Sequence, residues 1–246
     1  MFHTRYSLWK QVYSHRVGKA IEYMIADAFK LADPVLGISK KIDDPREFMH
    51  LDDTILNTIS ASKDQDLKPA QEIVKRFRKR QLYKFADEVL IPDEYWSHIE
   101  AINPADIAQY SNHAKNGKGL REENIRIHKF KINYAMKNQN PIDSVHFYSK
   151  WNMSASFSIP KERVSLLVPE KFSESYVRVF CTQPEQVAET QRCFRKLLHD
   201  VYPWAIPSRH LSLPPSPNKA TNAAAASSST QVGIQNVIQA KQHFLK

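Results

Sequence analysis

MFHTRYSLWKQVYSHRVGKAIEYMIADAF, residues 1–29, opens the chain on a helical period and decides that its first part is a helical layer. At about 100° per residue, Val17, Ile21, Met24 and Ala28 fall on one narrow stripe, the pattern of a core helix. Upstream, Leu8, Trp9, Val12 and Tyr13 form an apolar face that also carries Arg5 and Arg16, about three turns apart. Cations on such a face call for anions, although for any single arginine a stem laid over apolar neighbours is the commoner case. Tyr13 and His15, two positions apart, project about 200° from each other on a helix, so a continuous helix separates one site on each side.

The helix is expected to end near Asp33-Pro34, because a residue before proline is pushed out of the α region. Asp44-Pro45 reads as N-cap and N1 of a short helix, and Leu51, Ile55, Leu56 and Ile59 space another. Pro69 starts PAQEIVKRFRKRQ, which leads into the strand-like LYKFADEVLI. Two short helices follow, starting at Asp93 and at Asn103-Pro104, with a stop at Asn116-Gly117. IRIHKFKINYAM alternates as a strand, but Ile125 and Ile127 are out of phase with Phe130, Ile132, Tyr134 and Met136, so a bulge near His128 is expected. VHFYSKW, ASFSI and SYVRVFC read as strands and PKERVSLLV as a short helix; PEQVAETQRCFRKLLHDVY reads as an amphipathic helix carrying Val187, Phe194, Leu197, Leu198 and Val201. Helices first, then a small sheet with helices on it, is an α+β order.

Composition sets bounds. A chain of 246 residues with 42% hydrophobic content buries a real core, and no run of 18 apolar residues or secretory signal is present. An intracellular protein, nuclear or cytoplasmic, with no membrane partner is therefore expected. Cys181 and Cys193, without CxxC spacing, read as reduced, core-type thiols. The net charge of +9 points to a polyanionic partner. After Trp204 the composition turns to Pro, Ser, Ala, Asn and Thr, which predicts disorder from 205 to about 232, and residues 234–245 return to helical spacing as a candidate docking peptide.

Nucleotide-cradling and hydrolase motifs of the GxGxxG, GxxxxGK[ST], GxSxG and HExxH types do not occur, and five glycines in the chain argue against glycine-built phosphate loops. His199-Asp200 matches an HD dipeptide, but no acidic residue follows it, and a surface pair ending a helix is the better reading. The sharpest charge signal is KRFRKRQLYK, six cations in ten residues with Phe77, Leu82 and Tyr83 interleaved and no acid three or four residues downstream of Lys75 to Arg80. A solvated helix face and a phosphate or single-stranded nucleic-acid contact are both open for it.

MFHTRYSLWKQVYSHRVG, RQLYK, NPIDSVHFYSK and LVPEKF, in this order, closely resemble the carboxy-terminal half of the SAM-and-HD-domain deoxynucleoside triphosphate triphosphohydrolases, over about residues 1 to 202. The resemblance implies an enzyme that splits dNTPs into deoxynucleoside and triphosphate, as a tetramer assembled by GTP and dNTPs at allosteric sites between subunits. By the same resemblance, Arg5 contacts the substrate triphosphate and Tyr13 packs by its sugar, while His15 and Arg16 face an allosteric dNTP. Arg80, Leu82 and Lys84 reach the GTP activator of a neighbouring subunit, and Lys150 contacts allosteric phosphates. Residues 1–90 then correspond to a remnant of the HD-domain helices with a basic allosteric segment, 91–202 to a regulatory and oligomerisation lobe of mixed α/β structure, and 203–246 to a low-complexity tail.

Departures from the family pattern are Ser14, where the family has glutamine, and Ser149, where it has a cysteine proposed for redox control. Ser216-Pro217-Asn218-Lys219 looks like the family's proline-directed phosphorylation site. The family's SAM domain, its divalent metal ligands (Zn, Fe or Mg) and its acid/base histidine lie upstream of Met1, so the chain is expected to be a fragment, isoform or truncated product that binds no metal and is inactive alone. A nucleic-acid or nucleotide-binding module without enzymatic activity, and a partner that poisons tetramers of the full enzyme, are the alternatives.

Overall fold

The computed structural model describes residues 1–111, 119–164 and 168–202. The expected stop at Asn116-Gly117, part of the helix expected in PKERVSLLV, the tail with Ser216-Pro217, and the terminal docking segment lie outside the described residues.

The architecture is α+β. The first helix is not continuous. Helix α1 (Phe2–Leu8) passes into a π turn at Trp9–Tyr13, and α2 (Arg16–Leu36) begins afresh. Ser14 donates its N–H to the Trp9 carbonyl at 2.8 Å, an i→i−5 bond, and His15 is extended with ψ 134°. The extra residue resets the helical phase, so the angle between Tyr13 and His15 is set by this break and not by the helical period. Helix α2 also outruns Pro34. Packing of Ala28, Ala32 and Leu36 outweighs the one ladder bond that exposed Pro34 forfeits, and Gly37, at φ 63°, closes the last turn onto Asp33. The buried stripe is shifted from the expected one. Ala20, Met24 and Ala28 are buried, Ala20 and Met24 in the cluster with Phe180, whereas Val17 is exposed.

The carboxy-terminal half of α2 packs on α5 (Ile55–Ala61) and α6 (Lys68–Arg78), around Ile59, Leu67, Ala70 and Val74. The short helices α3 (Ile38–Lys41), α4 (Pro45–Phe48), α7 (Trp96–Glu100) and α9 (Lys161–Val164) connect the longer elements, and Asp44 caps α4 as expected, accepting from Arg46 N–H at 2.9 Å. Asn103 and Asp106 form a reciprocal capping box on α8 (Pro104–Ala108).

Strands β1 (Lys84–Ile91), β2 (Ile125–Asn133) and β5 (Ser173–Cys181) make an antiparallel sheet in the order β1-β5-β2. A hairpin of β3 (Phe147–Ser149) and β4 (Asn152–Phe157) stands apart as a second sheet. The larger sheet is covered on both faces. Val177, Val179 and Cys181 point to α10 (Val187–Val201), where Cys193, Phe194, Leu197 and Leu198 are buried, while Phe180 meets Ala20 and Met24 of α2. Each buried Val, Leu, Phe or Met among them contributes about 1.5 to 3 kcal/mol. Val201, expected inside, is exposed.

Coverage of both faces removes the need for a bulge at His128. The ladder of β2 with β5 is unbroken, with Ile125 on the α10 side and Arg126, His128 and Phe130 on the α2 side, so both phases of the apolar pattern are buried. The bulge falls instead in β1 between Phe85 and Asp87, which places Ala86 and Asp87 together on the α10 side; there Arg195 Nε reaches Asp87 at 2.6 Å. On the outer edge of β2, the Tyr23 hydroxyl donates to the Ile127 carbonyl at 2.9 Å and Arg126 Nη1 to that of Ile125 at 2.9 Å.

Candidate functional site

Helix α1 is tied down by a polar cluster. Glu174 accepts from Tyr6 at 2.7 Å, Tyr176 at 2.6 Å and Lys10 at 3.0 Å. Burial alone pushes the Glu174 carboxyl up, but the hydrogen bonds from Tyr176, Tyr6 and Lys10 outweigh it and hold it below the usual carboxylate range. Burial and the Glu174 bond push the Tyr176 phenol up to about 12. This cluster fixes the helix and leaves its other side open. Leu8, Trp9, Val12 and Tyr13 are exposed, as expected for a face that lacks a cover. Arg5, in the last turn of α1, is exposed, and Tyr13 leans on Trp9 with ring centroids 5.5 Å apart. No contact joins Arg5 to Tyr13 among the described residues.

His15 is the N-cap of α2, its Nδ1 accepting from Val17 N–H at 3.3 Å. Beside it, the Arg16 guanidinium lies over the Phe85 ring at 5.3 Å. Leu82 and Phe85 join the small core formed by Ala20, Met24, Tyr83 and Phe180. The fold therefore brings His15 and Arg16 to the same α2–β1 junction as the segment from Arg80 to Lys84, 64 to 69 residues on in sequence. Lys150 is not brought there. It sits in the β3–β4 turn with its ammonium 4.6 Å from the Trp151 ring centroid.

The end of α6 is unusual. Arg80 N–H bonds the Phe77 carbonyl at 3.0 Å and Gln81 N–H that of Arg76 at 2.9 Å, the paired bonds of a Schellman cap. Glycine normally fills the left-handed position of that cap. Here Arg80 fills it, with φ 60°. The basic run is also less free than the sequence implies. Glu72, upstream, pairs with Lys75 at 3.3 Å, Arg76 donates to the Thr182 carbonyl at 3.0 Å, and Arg78 to Asn57 at 2.7 Å. Among the described residues no hydrogen bond or ion pair engages the side chains of Lys79, Arg80 or Lys84.

Two buried polar groups escape sequence reasoning. Asp27 accepts from Tyr83 at 2.8 Å and from Arg126 at 2.7 and 3.1 Å, joining α2, the residue before β1, and β2. Arg178, in the central strand, reaches the Ser14 carbonyl and Glu88. The only sequence signal for Arg178 is an arginine between the aromatic flanks Tyr176 and Phe180, and its partners are set by tertiary contact. His199 and Asp200 pair with each other at 2.9 Å on the surface. No group of three His, Cys, Asp or Glu residues able to hold a metal occurs among the described residues, so they do not fit the divalent metal that the resemblance implies.

The helical layer, strands β1 and β2 and the α2–β1 junction lie within a stretch that matches a known region: residues 2–139 match the family model described as HD associated region, and the chain belongs to that family. It is 43% identical over 207 residues to the deoxynucleoside triphosphate triphosphohydrolase SAMHD1 homolog of Dictyostelium discoideum, covering 82% of this chain and 39% of that protein. It is 36% identical over 203 residues to the SAMHD1 enzyme of Xenopus laevis and 34% identical over 202 to that of Homo sapiens, in each case over 76% of this chain and 32% of the relative. The chain thus spans about a third to two fifths of the length of these relatives. Among the described residues no helix is long and apolar enough to cross a membrane.

Proposed function

We propose that this chain serves as the carboxy-terminal portion of a dNTP triphosphohydrolase, contributing contacts to substrate, effector and neighbouring subunits, with the hydrolytic metal held by other residues. In this reading Arg5 binds the substrate triphosphate and Tyr13 flanks its sugar. His15 and Arg16 bind an allosteric dNTP, and Lys150, which this chain does not bring beside them, contacts allosteric phosphates in the assembly. Arg80, Leu82 and Lys84 reach GTP across a subunit boundary in a tetramer.

The observation that supports it most is Arg80. A non-glycine residue in the left-handed region costs about 1 to 2 kcal/mol, and strain of this kind is retained where a side chain has work to do. Its guanidinium is exposed, with no hydrogen bond or ion pair among the described residues, and Leu82 and Lys84 follow it in the chain. The second reading, a single-stranded nucleic-acid contact, rests on the same unengaged Lys79, Arg80 and Lys84. Thermal unfolding of the chain with GTP plus dATP, set against a single-stranded oligonucleotide, separates the two. A stabilisation by the nucleotides that Arg80→Glu leaves unchanged overturns the effector assignment.

A further inference from the structure

The break between Tyr13 and His15 leaves the Ser14 carbonyl without its helical partner, and Ser14 is only 4% exposed. A buried carbonyl left unpaired is destabilising, and helix-end carbonyls carry partial negative charge that a cation satisfies. The partner comes from the middle of the sheet. Arg178, 8% exposed, donates from Nη1 to the Ser14 carbonyl at 2.6 Å and from Nε to Glu88 Oε2 at 2.5 Å. Its guanidinium also lies 4.9 Å from the centroid of the Phe130 ring, which stacks on His128. Strand β1 thus orients the arginine, β2 supports it, β5 carries it, and the atom it holds is the hinge of the first helix.

We infer that Arg178 is a positioning residue that fixes the break between Tyr13 and His15, so that the residues before and after it keep one relative setting. This inference rests on the roles proposed above only in what the two sides bind. An arginine suits the task because one planar group serves two acceptors in fixed directions, which a lysine ammonium on a flexible stem does only singly.

Hydrogen exchange on the full chain tests it directly. In Arg178→Met, protection of the Ser14 to Val17 amides falls at least tenfold while that of α10 is unchanged, and Arg178→Lys restores part of it. A second readout is the GTP plus dATP concentration giving half-maximal thermal stabilisation, expected to rise about tenfold in Arg178→Met and to recover partly in Arg178→Lys. Unchanged exchange at residues 14–17, or exchange lost equally throughout the chain, overturns the positioning role. If the nucleotides do not stabilise the unaltered chain, the proposed function fails, while the exchange result still decides the role of Arg178.

Discussion

Arg80→Gly is the substitution in which stability and binding should move in opposite directions. The residue occupies the left-handed position after α6 with φ 60°, and its side chain makes no hydrogen bond or ion pair among the described residues, so truncation forfeits no such interaction. Glycine removes about 1 to 2 kcal/mol of backbone strain. It returns about 0.5 to 1 kcal/mol through the larger freedom of the unfolded chain. The expected balance is a gain of about 0.5 to 1 kcal/mol, equivalent to about 1 to 4 °C in Tm for a chain of this size. Urea unfolding followed by far-UV circular dichroism should show a higher midpoint with an unchanged slope. The same variant should lose the stabilisation given by GTP plus dATP, which for a bound effector at a hundredfold excess over Kd is about 2.7 kcal/mol. A lower urea midpoint would refute the strain argument, since it would mean that the arginine side chain supports the cap.

Three further outcomes follow from buried polar groups. Asp27→Ala strands the Arg126 guanidinium and the Tyr83 hydroxyl, and because Arg126 keeps some solvent access the loss should be about 2 to 3 kcal/mol, read as a lower urea midpoint. His128 should make the fold acid-sensitive: burial first, and then the charges of Lys19 and Arg178, lower its pKa to about 4, so the unfolded chain takes up a proton that the fold refuses. Its contribution is complete above about pH 6.5 and is lost as pH falls towards 4, by about 2 kcal/mol after allowance for partial exposure, and His128→Leu should flatten that part of a stability-against-pH profile. Cys193, whose thiol burial pushes up to about 11, should react with a maleimide only after unfolding, whereas labelling in native buffer would show that α10 opens.

What could be read from residues alone was the local grammar. Asp44-Pro45 and Asn103-Pro104 mark helix starts because their caps act within three residues, Pro69 because its fixed φ suits the first turn, and the strands around Lys84 and Ser173 carry their own β-branched and aromatic pattern. The errors arose where distant parts of the chain decide. The phase change in β2 looked like a bulge because nothing local says that helices lie on both faces. Helix α2 runs past Pro34 because of packing against α6. The π turn at Trp9–Tyr13 has no glycine or proline to announce it, and the arginine that holds its end lies 164 residues away. Among the candidate site residues, the meeting of Arg16 with the Arg80 to Lys84 segment depends on Phe85, which carried no signal of its own.

The outer rim of the three-stranded sheet has a consequence for solubility. An antiparallel sheet with open ends is a template on which further strands polymerise, and this protein, rich in aromatic strands, would be at risk. At the β2 end the Tyr23 hydroxyl and the Arg126 guanidinium already occupy the carbonyls of Ile127 and Ile125, and Lys129 and Lys131 follow along the same strand. At the β1 end the irregularity between Phe85 and Asp87 breaks the regular repeat that a recruited strand would need. Both margins of the sheet thus carry features that disfavour fibrillar growth, supplied by side chains and a bulge that also join the sheet to its helices.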